Sequence, residues 1–587
     1  MLSESPTHLE RLKSATNRKE LAGLLGYKPS ALTSIIYKTP IEQRYNEFEI
    51  PKKNGGVRLI KAPSPKLKVL QSRLANYLYA CLEEIEKSRK TKSVSHGFRK
   101  SVGIVSNAKS HRNRRFVLNL DLENFFPSFH FGRVRGFFLK DKCFELNEEV
   151  ATTIAQIACD GQALPQGSPC SPVISELVGQ ILDLRLLRFA KKNGIRYSRY
   201  ADDLTFSTNQ KSFPSQVAIQ DKADASKWTL GKALVDKIEA SGFRVNASKT
   251  RMHIKGSRQS VNGLVVNEKA NIASQYYRRA RAMCDSLFIN GKYFKETKVA
   301  EIGGSKEPVF IKNLAPLEGI LSHIYYVTQC EEKRNVQEQR TNPRAIRQLF
   351  RRFLFYKHCI ALSKPLIITE GKTDPIYLRE AIKHLPLLQP QLGQKAEVGF
   401  QFSISFFKYE GRLHEIMDLG GGSGDLRSVI FDYVKNIEPK KWKMKRKPMA
   451  HLPMKHPVIL LVDNDEGLSP VTGPIRKKFD VDIKKSYTEP FYYIGYNLYL
   501  VKTPEDAGDS CIEDFFPKEW LEKKLNGKSL SLKSKIDPSK EYGKEVFAKR
   551  IVLKHANDID FKGFIPLLER IKSVISDYED KVKAANV

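Results

Sequence analysis

The spacing of apolar residues along the chain predicts two different kinds of structure. Before Pro365, leucines recur at helical spacing within Leu67–Leu78, and a longer apolar stretch runs through Val173–Phe189, so both segments are predicted to be helices. After Pro365, the uninterrupted apolar runs Leu366–Thr369 and Val458–Val462 predict strands that are buried on both faces of a parallel sheet. A mixed helix-and-strand half is therefore expected to precede an α/β half.

Residues 1–50 follow the helical pattern as well. Their apolar positions are explained most simply as helix core, and they are Leu21, Leu24, Leu25, Leu32, Ile35 and Ile36. The following Asn54-Gly55-Gly56 predicts a hairpin turn, because these residues tolerate the positive φ that tight hairpins need. Arg58 beside this turn has a guanidinium that can bind two phosphate oxygens, although the local residues by themselves favour an ordinary solvated hairpin.

The stretch from Arg199 to Phe206 carries two adjacent carboxylates, Asp202 and Asp203, between β-prone residues. This pattern predicts two short strands with the aspartates at the turn between them. Two neighbouring like charges repel each other unless a cation neutralises them, and a divalent metal commonly does so. A solvated turn is the alternative, since aspartate is frequent in turns, and these residues alone do not decide between the two.

Two further elements precede this stretch and change its interpretation. The predicted strand Phe116–Leu120 ends at Asp121, and Leu164–Pro172 forms a proline-rich loop with Gln166 before the apolar helix. Phosphoryl transfer to a nucleotide needs divalent ions held by carboxylates from separate strands. Asp121 together with Asp202 and Asp203 would supply that set.

These motifs, in this order, resemble those of reverse transcriptases. Asp121 corresponds to motif A, Leu164-Pro165-Gln166-Gly167 to motif B, Tyr200-Ala201-Asp202-Asp203 to motif C, and the segment around Lys249 to motif D. The resemblance implies an α+β right-hand polymerase with fingers, palm and thumb, and a two-metal Mg²⁺ site on Asp121, Asp202 and Asp203. It further implies dNTP binding by Arg58, Phe126, Gln166 and Gly167, with Phe126 as the gate against a ribose 2′-hydroxyl. Lys249 would donate a proton to pyrophosphate.

Two other elements narrow the resemblance to retron reverse transcriptases. Asn107-Ala108-Lys109-Ser110-His111 matches their Asn-Ala-x-x-His element, and Val261-Asn262-Gly263 departs by one residue from their usual Val-Thr-Gly. The resemblance spans roughly residues 15–330. It implies a structured noncoding RNA as partner, bound in part by Asn107 and His111. It also implies that DNA synthesis is primed from a guanosine 2′-hydroxyl of that RNA and that the product is a branched RNA–DNA hybrid called msDNA. A host RNase H would remove the template.

The expected thumb begins with a helix that combines two tyrosines with several arginines. Stacking and phosphate contacts with nucleic acid suit this pattern, and a solvated helix face is the alternative. The residues predicted to bind nucleic acid here are Tyr276, Tyr277, Arg278 and Arg279. The basic run from Lys440 to Lys447 suits the same role.

In the second half, acidic residues follow the predicted parallel strands. Glu370 follows the first strand, and Asp463 and Asp465 follow Val458–Val462. Sites of parallel sheets lie at such strand ends, and carboxylates there suit Mg²⁺. Glu370-Gly371-Lys372-Thr373-Asp374 and Asp463-Asn464-Asp465 resemble the Toprim fold. That resemblance implies Glu370 as general acid/base, Asp463 and Asp465 as metal ligands, and Asp374 as a further ligand. Glu513-Asp514 resembles a later acidic element of Toprim nucleases, or is a charge pair at a helix start.

Composition supports a nucleic-acid partner. The 587 residues carry a net charge of +34 with a pI near 9.6, and no amphipathic or lipidated anchor accompanies this charge, which argues against a membrane surface. The eight cysteines are scattered singly, and the N-terminus lacks a signal-peptide pattern, so a cytoplasmic protein with reduced thiols is expected. The resemblance to retron reverse transcriptases implies a bacterial source.

The sequence thus predicts a retron reverse transcriptase fused to a Toprim nuclease that acts in antiphage defence. The expected parts are an N-terminal helical region (1–50), fingers and palm (51–268), thumb (269–330), connector (331–363), Toprim domain (364–516) and helical cap (517–587). The alternatives are another bacterial reverse transcriptase, such as an intron or diversity-generating type, and a Toprim domain that only scaffolds nucleic acid. Whether the chain forms a homo-oligomer is left open.

Overall fold

The computed structural model describes residues 5–52, 55–89, 93–224, 227–295, 309–409, 411–442, 444–504, 508–533 and 535–585. The chain folds into two compact units. The first consists of Met1–Ser274 and Val327–Glu332, and the second of Gln275–Tyr326 and Lys333–Val587. The predicted thumb, residues 269–330, is therefore divided between the two units, and the predicted domain boundaries stay predictions.

The first unit contains the following elements. Its helices are α1 (His8–Ser14), α2 (Arg18–Leu24), α3 (Pro29–Thr33), α4 (Pro65–Ser88), α5 (Ile104–Ser110), α6 (Phe131–Lys140), α7 (Glu148–Ala158), α8 (Ser171–Lys192) and α9 (Lys232–Glu239). Its strands are β1 (Tyr45–Pro51), β2 (Val57–Pro63), β3 (Phe116–Asp121), β4 (Arg196–Tyr200), β5 (Asp203–Thr208), β6 (Ala218–Gln220), β7 (Trp228–Leu230), β8 (Arg251–Ile254), β9 (Ser260–Val261) and β10 (Leu264–Val265).

A four-stranded antiparallel sheet forms the centre of this unit. Its strand order is β4-β5-β3-β8. Leu118 and Leu120 of β3 and Leu204 and Phe206 of β5 are at most 1% exposed, because α8 and the neighbouring helices cover one face of the sheet. This apolar support fixes the strand ends, where the candidate site lies.

The helices predicted at Leu67–Leu78 and Val173–Phe189 are confirmed as α4 and α8, and the predicted strand at Asp121 is β3. Residues 1–50 are helical only in part, because Tyr45–Pro51 pairs with β2 as an antiparallel hairpin. The apolar positions at helical spacing end at Ile36, before this strand begins. Asn54 of the predicted turn lies outside the described residues.

The second unit contains the remaining elements. Its helices are α10 (Ser274–Asn290), α11 (Ala315–Gln329), α12 (Val336–Thr341), α13 (Ala345–Phe355), α14 (Asp374–His384), α15 (Gly411–Met417), α16 (Ser423–Ile437), α17 (Ser469–Phe479), α18 (Lys518–Leu521), α19 (Lys544–Val546) and α20 (Ile565–Ala585). The ends of α10 and α11 extend into the first unit. Its strands are β11 (Tyr293–Lys295), β12 (Val309–Ile311), β13 (Leu366–Thr369), β14 (Gly393–Lys395), β15 (Phe400–Phe402), β16 (Ser405–Phe406), β17 (Val458–Val462), β18 (Tyr492–Gly495), β19 (Leu498–Lys502), β20 (Ser529–Leu530) and β21 (Glu541–Tyr542).

A five-stranded mixed sheet organises the second unit. Its order is β16-β13-β17-β19-β18, with β18 as the antiparallel edge strand and the other strands parallel. Every residue of β13, β17 and β19 is buried, which confirms the two predicted parallel strands. The region after residue 516 ends in α20, as predicted, but it also contains the paired strands β20 and β21. None of the described helices is long and apolar enough to cross a membrane.

Candidate active site

Three carboxylates meet at one end of the antiparallel sheet of the first unit. The register of β3 and β5 sets Asp121 opposite Asp203, and β4 pairs Tyr200 with Asp203. Ala201 and Asp202 form the turn between β4 and β5, and Ala201 has a φ of 54°, in the left-handed region that non-glycine residues seldom occupy. The Leu122 amide donates to the Asp202 carbonyl over 3.0 Å, which ties the turn to the end of β3.

Burial and mutual repulsion make the ionised forms of these carboxylates less favourable, and nearby donors compensate in part. Burial, followed by the charges of Asp202 and Asp121, raises the pKa of Asp203 to about 6. Burial also raises the pKa of Asp202. Lys249 donates to both oxygens of Asp121, over 2.8 and 2.9 Å, and the amide nitrogen of Asn262 donates to Asp203 over 2.9 Å. A cation is therefore favoured at this position, and an ammonium group supplies part of the compensation.

A cleft of about 1110 Å³ opens in front of the carboxylates. Arg58, Phe126, Gln166 and Gly167 all line it, so the structure brings these predicted dNTP contacts together with Asp121 and Asp202. The two adjacent phenylalanines have different surroundings. Phe125 is 4% exposed and stacks on Phe243, whereas Phe126 is half-buried at the cleft wall.

The loop before α8 is attached to the hairpin of β1 and β2. The Lys61 amide donates to the Gln166 carbonyl over 2.8 Å. Gly167 has a φ of 123°, and a Cβ there would lie 2.7 Å from the Lys61 carbonyl oxygen. Only glycine allows this close approach without strain, so the hairpin and the loop are held together as one wall of the cleft.

Asn107 and His111 do not lie on a surface that nucleic acid can reach. Both side chains are fully buried, and their hydrogen bonds go to protein side chains, namely Asn262, Ser198 and Ser207. The prediction that they bind nucleic acid directly is therefore wrong. Burial explains the difference, because the α5 segment packs against the sheet beneath the turn.

Comparison with known proteins places this arrangement in a family. The model of the reverse transcriptase family, described as RNA-dependent DNA polymerases, matches residues 50–274, which contain the three carboxylates and the cleft. The retron Ec86 reverse transcriptase of Escherichia coli is 33% identical over 248 residues, covering 42% of this chain and 70% of that protein. This chain belongs to the retron reverse transcriptases.

Two longer relatives come from Myxococcus xanthus. The retron Mx65 reverse transcriptase is 33% identical over 285 residues, covering 45% of this chain and 61% of that protein. The retron Mx162 reverse transcriptase is 34% identical over 273 residues, covering 44% and 54%. The chain thus spans 54–61% of the length of these two curated relatives. A solved telomerase from Candida albicans aligns at 10% identity over 54% of this chain and 64% of that one, with a TM-score of 0.29.

The second unit of this retron reverse transcriptase, beyond the matched residues, holds another acidic cluster. Glu370 follows β13 and Asp463 follows β17, and these strands are parallel neighbours. The amides of Asp463 and Ser423 donate to Glu370 over 3.4 and 3.3 Å. A Cβ on Gly467 would lie 2.8 Å from Asp465 and 3.4 Å from Glu370, so these two carboxylates surround that glycine.

Two buried carboxylates lie behind this cluster. Burial, followed by the charge of Glu513, raises the pKa of Asp374 to about 7, and burial with the charge of Asp374 raises the pKa of Asp463 to about 8. Glu513 is fully buried and accepts from Lys544 over 2.9 Å, while its other oxygen lacks a hydrogen-bond partner among the described residues. Lys544 was not singled out in the sequence, because it lies far from the acidic motifs along the chain.

Neither cluster is arranged as a finished metal site. Within the described residues, no group of three or more His, Cys, Asp or Glu side chains has the geometry to hold a metal ion as it stands. Lys249 on Asp121 and Lys544 on Glu513 occupy carboxylate oxygens instead. Both clusters nevertheless have the oxygen ligands and the raised pKa values that a divalent cation would compensate.

Helix α10 presents the predicted nucleic-acid residues of the second unit. Tyr276 and Arg278 are exposed, and Tyr277 and Arg279 are half-buried. Tyr277 lines a cleft of about 670 Å³ whose charged side chains are mostly basic. These lining residues include Arg281, Asp285, Arg352, Lys445, Arg446 and Lys447.

Arg199, immediately before the turn, is a structural residue that the sequence analysis did not single out. It is fully buried and donates to Asp183 over 2.7 and 2.8 Å and to Glu176 over 3.1 Å, both on α8. It also donates to the Ala201 carbonyl over 3.3 Å. Two acidic residues inside the apolar stretch of α8 were the available signal, since buried carboxylates require a partner.

The segment before α5 supports the turn from the other side. The His96 amide donates to the Arg199 carbonyl over 2.8 Å, and a Cβ on Gly97 would lie 2.5 Å from the Ala201 amide nitrogen. The turn is therefore enclosed between the buried ion pairs and this backbone segment.

Replacing Arg199 by methionine is expected to destabilise the first unit strongly. Buried Asp183 would lose its cationic partner, and Glu176 would keep only Arg99, which lies 3.1 Å away. Leaving a buried carboxylate uncompensated costs about 3–5 kcal/mol of unfolding free energy. Urea denaturation followed by circular dichroism measures the loss. Lys100→Met provides the control, because its ion pair with Glu83 is exposed and contributes little. Equal shifts of the unfolding midpoint in both variants would contradict the structural role of Arg199.

Proposed function

We propose that the first unit catalyses RNA-directed DNA synthesis in the bacterial cytoplasm. Its template and primer are the cognate structured noncoding RNA, from whose guanosine 2′-hydroxyl it starts the branched msDNA, and its substrates are dNTPs. The observation that carries the proposal is the meeting of Asp121, Asp202 and Asp203 at the mouth of the cleft lined by Arg58, Phe126 and Gln166. Family membership supports the same activity.

The carboxylates are proposed to act as ligands of Mg²⁺. Bound Mg²⁺ supplies charge neutralisation of the triphosphate and activation of the attacking hydroxyl. Asp121 and Asp202 come from separate strand ends, and Asp203 is proposed as the additional ligand beside them. Lys249, whose side chain is 54% exposed, would give up Asp121 to such a metal and would act as the proton donor to the leaving pyrophosphate.

The cleft wall is proposed to select the substrate. Arg58 would grip triphosphate oxygens through its planar guanidinium. Phe126 lines the cleft together with Gln166 and Gly167, and its ring would exclude a ribose 2′-hydroxyl there. Because the Lys61–Gln166 hydrogen bond joins hairpin and loop, these contacts would engage the nucleotide together.

The basic cleft beside α10 is proposed to bind the RNA or its DNA copy. Tyr276 and Tyr277 offer rings for stacking, and Arg278, Arg279, Lys445 and Lys447 offer charges for phosphates. Arg352 packs over Phe288, with its guanidinium carbon 4.5 Å from the ring centroid, and donates to the Lys447 carbonyl over 2.7 Å. These contacts hold the backbone of the basic segment at Lys447 in place. The Nε atom of Arg352 is buried and lacks a hydrogen-bond partner within the part of the chain that the structure describes, which favours a phosphate oxygen nearby.

The acidic cluster of the second unit is proposed to be a Toprim nuclease site with its own Mg²⁺. Glu370 would be the general acid/base, Asp463 and Asp465 the metal ligands, and Asp374 a further ligand. Support comes from the strand order, which brings both signature elements to the ends of neighbouring parallel strands, and from the raised pKa values of Asp374 and Asp463. Mg²⁺ bound there would stabilise the developing charge on a phosphodiester. In antiphage defence, the msDNA hybrid would restrain this effector until infection releases it.

A non-catalytic scaffold is the alternative function of the second unit. A cluster of carboxylates repels a nucleic-acid backbone, and a scaffold gains nothing from burying Glu513 and Asp374 beside one another. This electrostatic cost favours the nuclease.

Asp202→Asn is expected to lower DNA synthesis on the cognate noncoding RNA by at least about a hundredfold, because an amide is a poor ligand for Mg²⁺. Labelled dNTP incorporation into msDNA measures the change. Asp221→Asn, an exposed aspartate of the same unit, serves as control and should retain wild-type synthesis. Undiminished synthesis by Asp202→Asn would refute the proposed polymerase site.

The double change Lys445→Ala and Lys447→Ala is expected to weaken binding of the noncoding RNA. Each lost phosphate contact reduces the slope of log affinity against log salt by about 1. Filter binding across a salt series provides the measurement. Lys554→Ala with Lys562→Ala removes the same charge from exposed positions elsewhere in the second unit and should leave the slope unchanged. Equal slopes for both double variants would argue against this interface.

Glu370→Gln is expected to abolish Mg²⁺-dependent cleavage of nucleic acid by the purified full-length chain and to leave msDNA synthesis unchanged, because the two sites lie in separate units. Incubation with single- and double-stranded DNA and RNA identifies the substrate. Glu522→Gln, at an exposed carboxylate, is the matched control. Cleavage that survives Glu370→Gln would exclude this site, and wild-type protein without cleavage would favour the scaffold.

A further inference from the structure

A continuous chain of hydrogen bonds leads from the interior of the first unit to Asp203. The side-chain amide of Asn262 donates to Asp203 Oδ2 over 2.9 Å. Asn107 donates in turn to Asn262 Oδ1, and the Ser198 hydroxyl donates to Asn107 Oδ1. Each side chain thus receives a hydrogen bond on one side and gives one on the other.

His111 continues this chain beneath the sheet. Its Nε2 lies 2.6 Å from Ser198 Oγ, and its Nδ1 lies 2.7 Å from Ser207 Oγ. Ser198 pairs with Thr205, two residues before Ser207, so both serines point to the same face of β4 and β5. Burial lowers the pKa of His111 to about 3, and the ring is therefore neutral at physiological pH.

The chain has a single direction when Asp203 is ionised. A carboxylate only accepts hydrogen bonds, so Asn262 must turn its nitrogen toward Asp203 and its oxygen toward Asn107. Asn107 must then offer its nitrogen to Asn262 and its oxygen to Ser198. Because the single hydroxyl hydrogen of Ser198 is used on Asn107, the neutral His111 ring must carry its proton on Nε2 and accept at Nδ1 from Ser207.

The chain joins parts of the first unit that are distant in sequence. Asn107 lies on α5, His111 directly after it, Ser198 on β4, Ser207 on β5, and Asn262 in the turn between β9 and β10. Asn262 has a φ of 47°, a left-handed conformation that asparagine tolerates better than β-branched residues do. The backbone at this turn is therefore adapted to present an amide side chain to Asp203.

We propose that Asn107, Asn262 and Ser198 are positioning residues that orient the Asp203 carboxylate for nucleotidyl transfer. The buried ring of His111 holds the inner end of this chain. The proposal rests on the polymerase function proposed above. It assigns a role to the Asn107–His111 element that needs no contact with nucleic acid. Networks of this kind behind metal ligands change affinity or activity by about 10–100-fold when they are broken.

The test compares two variants that break the chain at different points. Asn107→Asp keeps the size of the side chain but removes the donor to Asn262, so Asn262 loses the group that fixes its orientation. We expect kcat for dNTP incorporation to fall about 10–100-fold, the Mg²⁺ concentration for half-maximal activity to rise, and KM for dNTP and affinity for the noncoding RNA to stay near wild type. Ser198→Ala removes the next donor with little change in volume and should lower kcat about 3–10-fold.

Two further measurements separate positioning from a general loss of structure. Adding Ser198→Ala to Asn107→Asp should cost little more than Asn107→Asp alone, because the chain is already interrupted. Thr205→Val removes a hydrogen bond to Asn119 on the same sheet, outside the chain, and should leave kcat and the Mg²⁺ requirement unchanged. Thermal unfolding of every variant reports the folded fraction.

The possible outcomes are distinct. Wild-type protein that makes no DNA on its noncoding RNA would refute the proposed function itself. With active wild type, kcat of Asn107→Asp and Ser198→Ala within about twofold of wild type would refute the positioning chain. Loss of RNA affinity with kcat retained would also refute it and would assign the element to nucleic-acid binding. A fall in kcat no larger than the loss of folded protein would reduce the chain to a stability role and overturn the proposal.

Discussion

The hydrogen-bonded ladder between β3 and β5 is the interaction on which the candidate polymerase site depends. It sets Asp121 opposite Asp203, and the adjoining turn adds Asp202. Carboxylates held this close lose hydration and repel each other, as the raised pKa of Asp203 shows. The fully buried leucines of the same strands supply the compensating stability, since burial of apolar surface dominates the folding free energy. Burial of these leucines, a few residues away, therefore offsets the free-energy cost of the charge repulsion at the strand ends.

The second unit brings carboxylates together by a different topology. Its strands are parallel, so the residues that follow β13 and β17 emerge at the same edge without a connecting turn. Glu370 follows one strand and Asp463 follows its neighbour, with Asp374 and Glu513 buried behind them. In both units an ammonium group, Lys249 or Lys544, already pairs with one carboxylate. Antiparallel and parallel sheets thus reach a similar electrostatic arrangement through different connections.

Local patterns in the sequence were sufficient to predict the strands and helices that carry the polymerase motifs. Phe116–Leu120, the apolar helix after Pro172 and the Asp202 turn were all legible, because the motif residues lie next to strong hydrophobic runs. The burial of individual polar side chains could not be predicted from these local patterns. The family motif predicts Asn107 and His111 as nucleic-acid contacts, yet both lie inside the unit. Their partners, such as Ser198 and Asn262, lie far away along the chain, so local sequence does not indicate this burial. The buried ion pairs of Arg199 likewise join residues that are separated along the chain. Lys544 lies beside Glu513 only in the folded structure.

The contact between Lys249 and Asp121 has a consequence for the resting enzyme. The carboxylate has a built-in counter-ion, so a divalent cation bound there would have to exchange with the ammonium group of Lys249. The displaced ammonium would stay tethered to the chain and would add a positive charge to the cleft that a triphosphate would occupy. Without a metal, the ammonium group itself offsets the charge of Asp121.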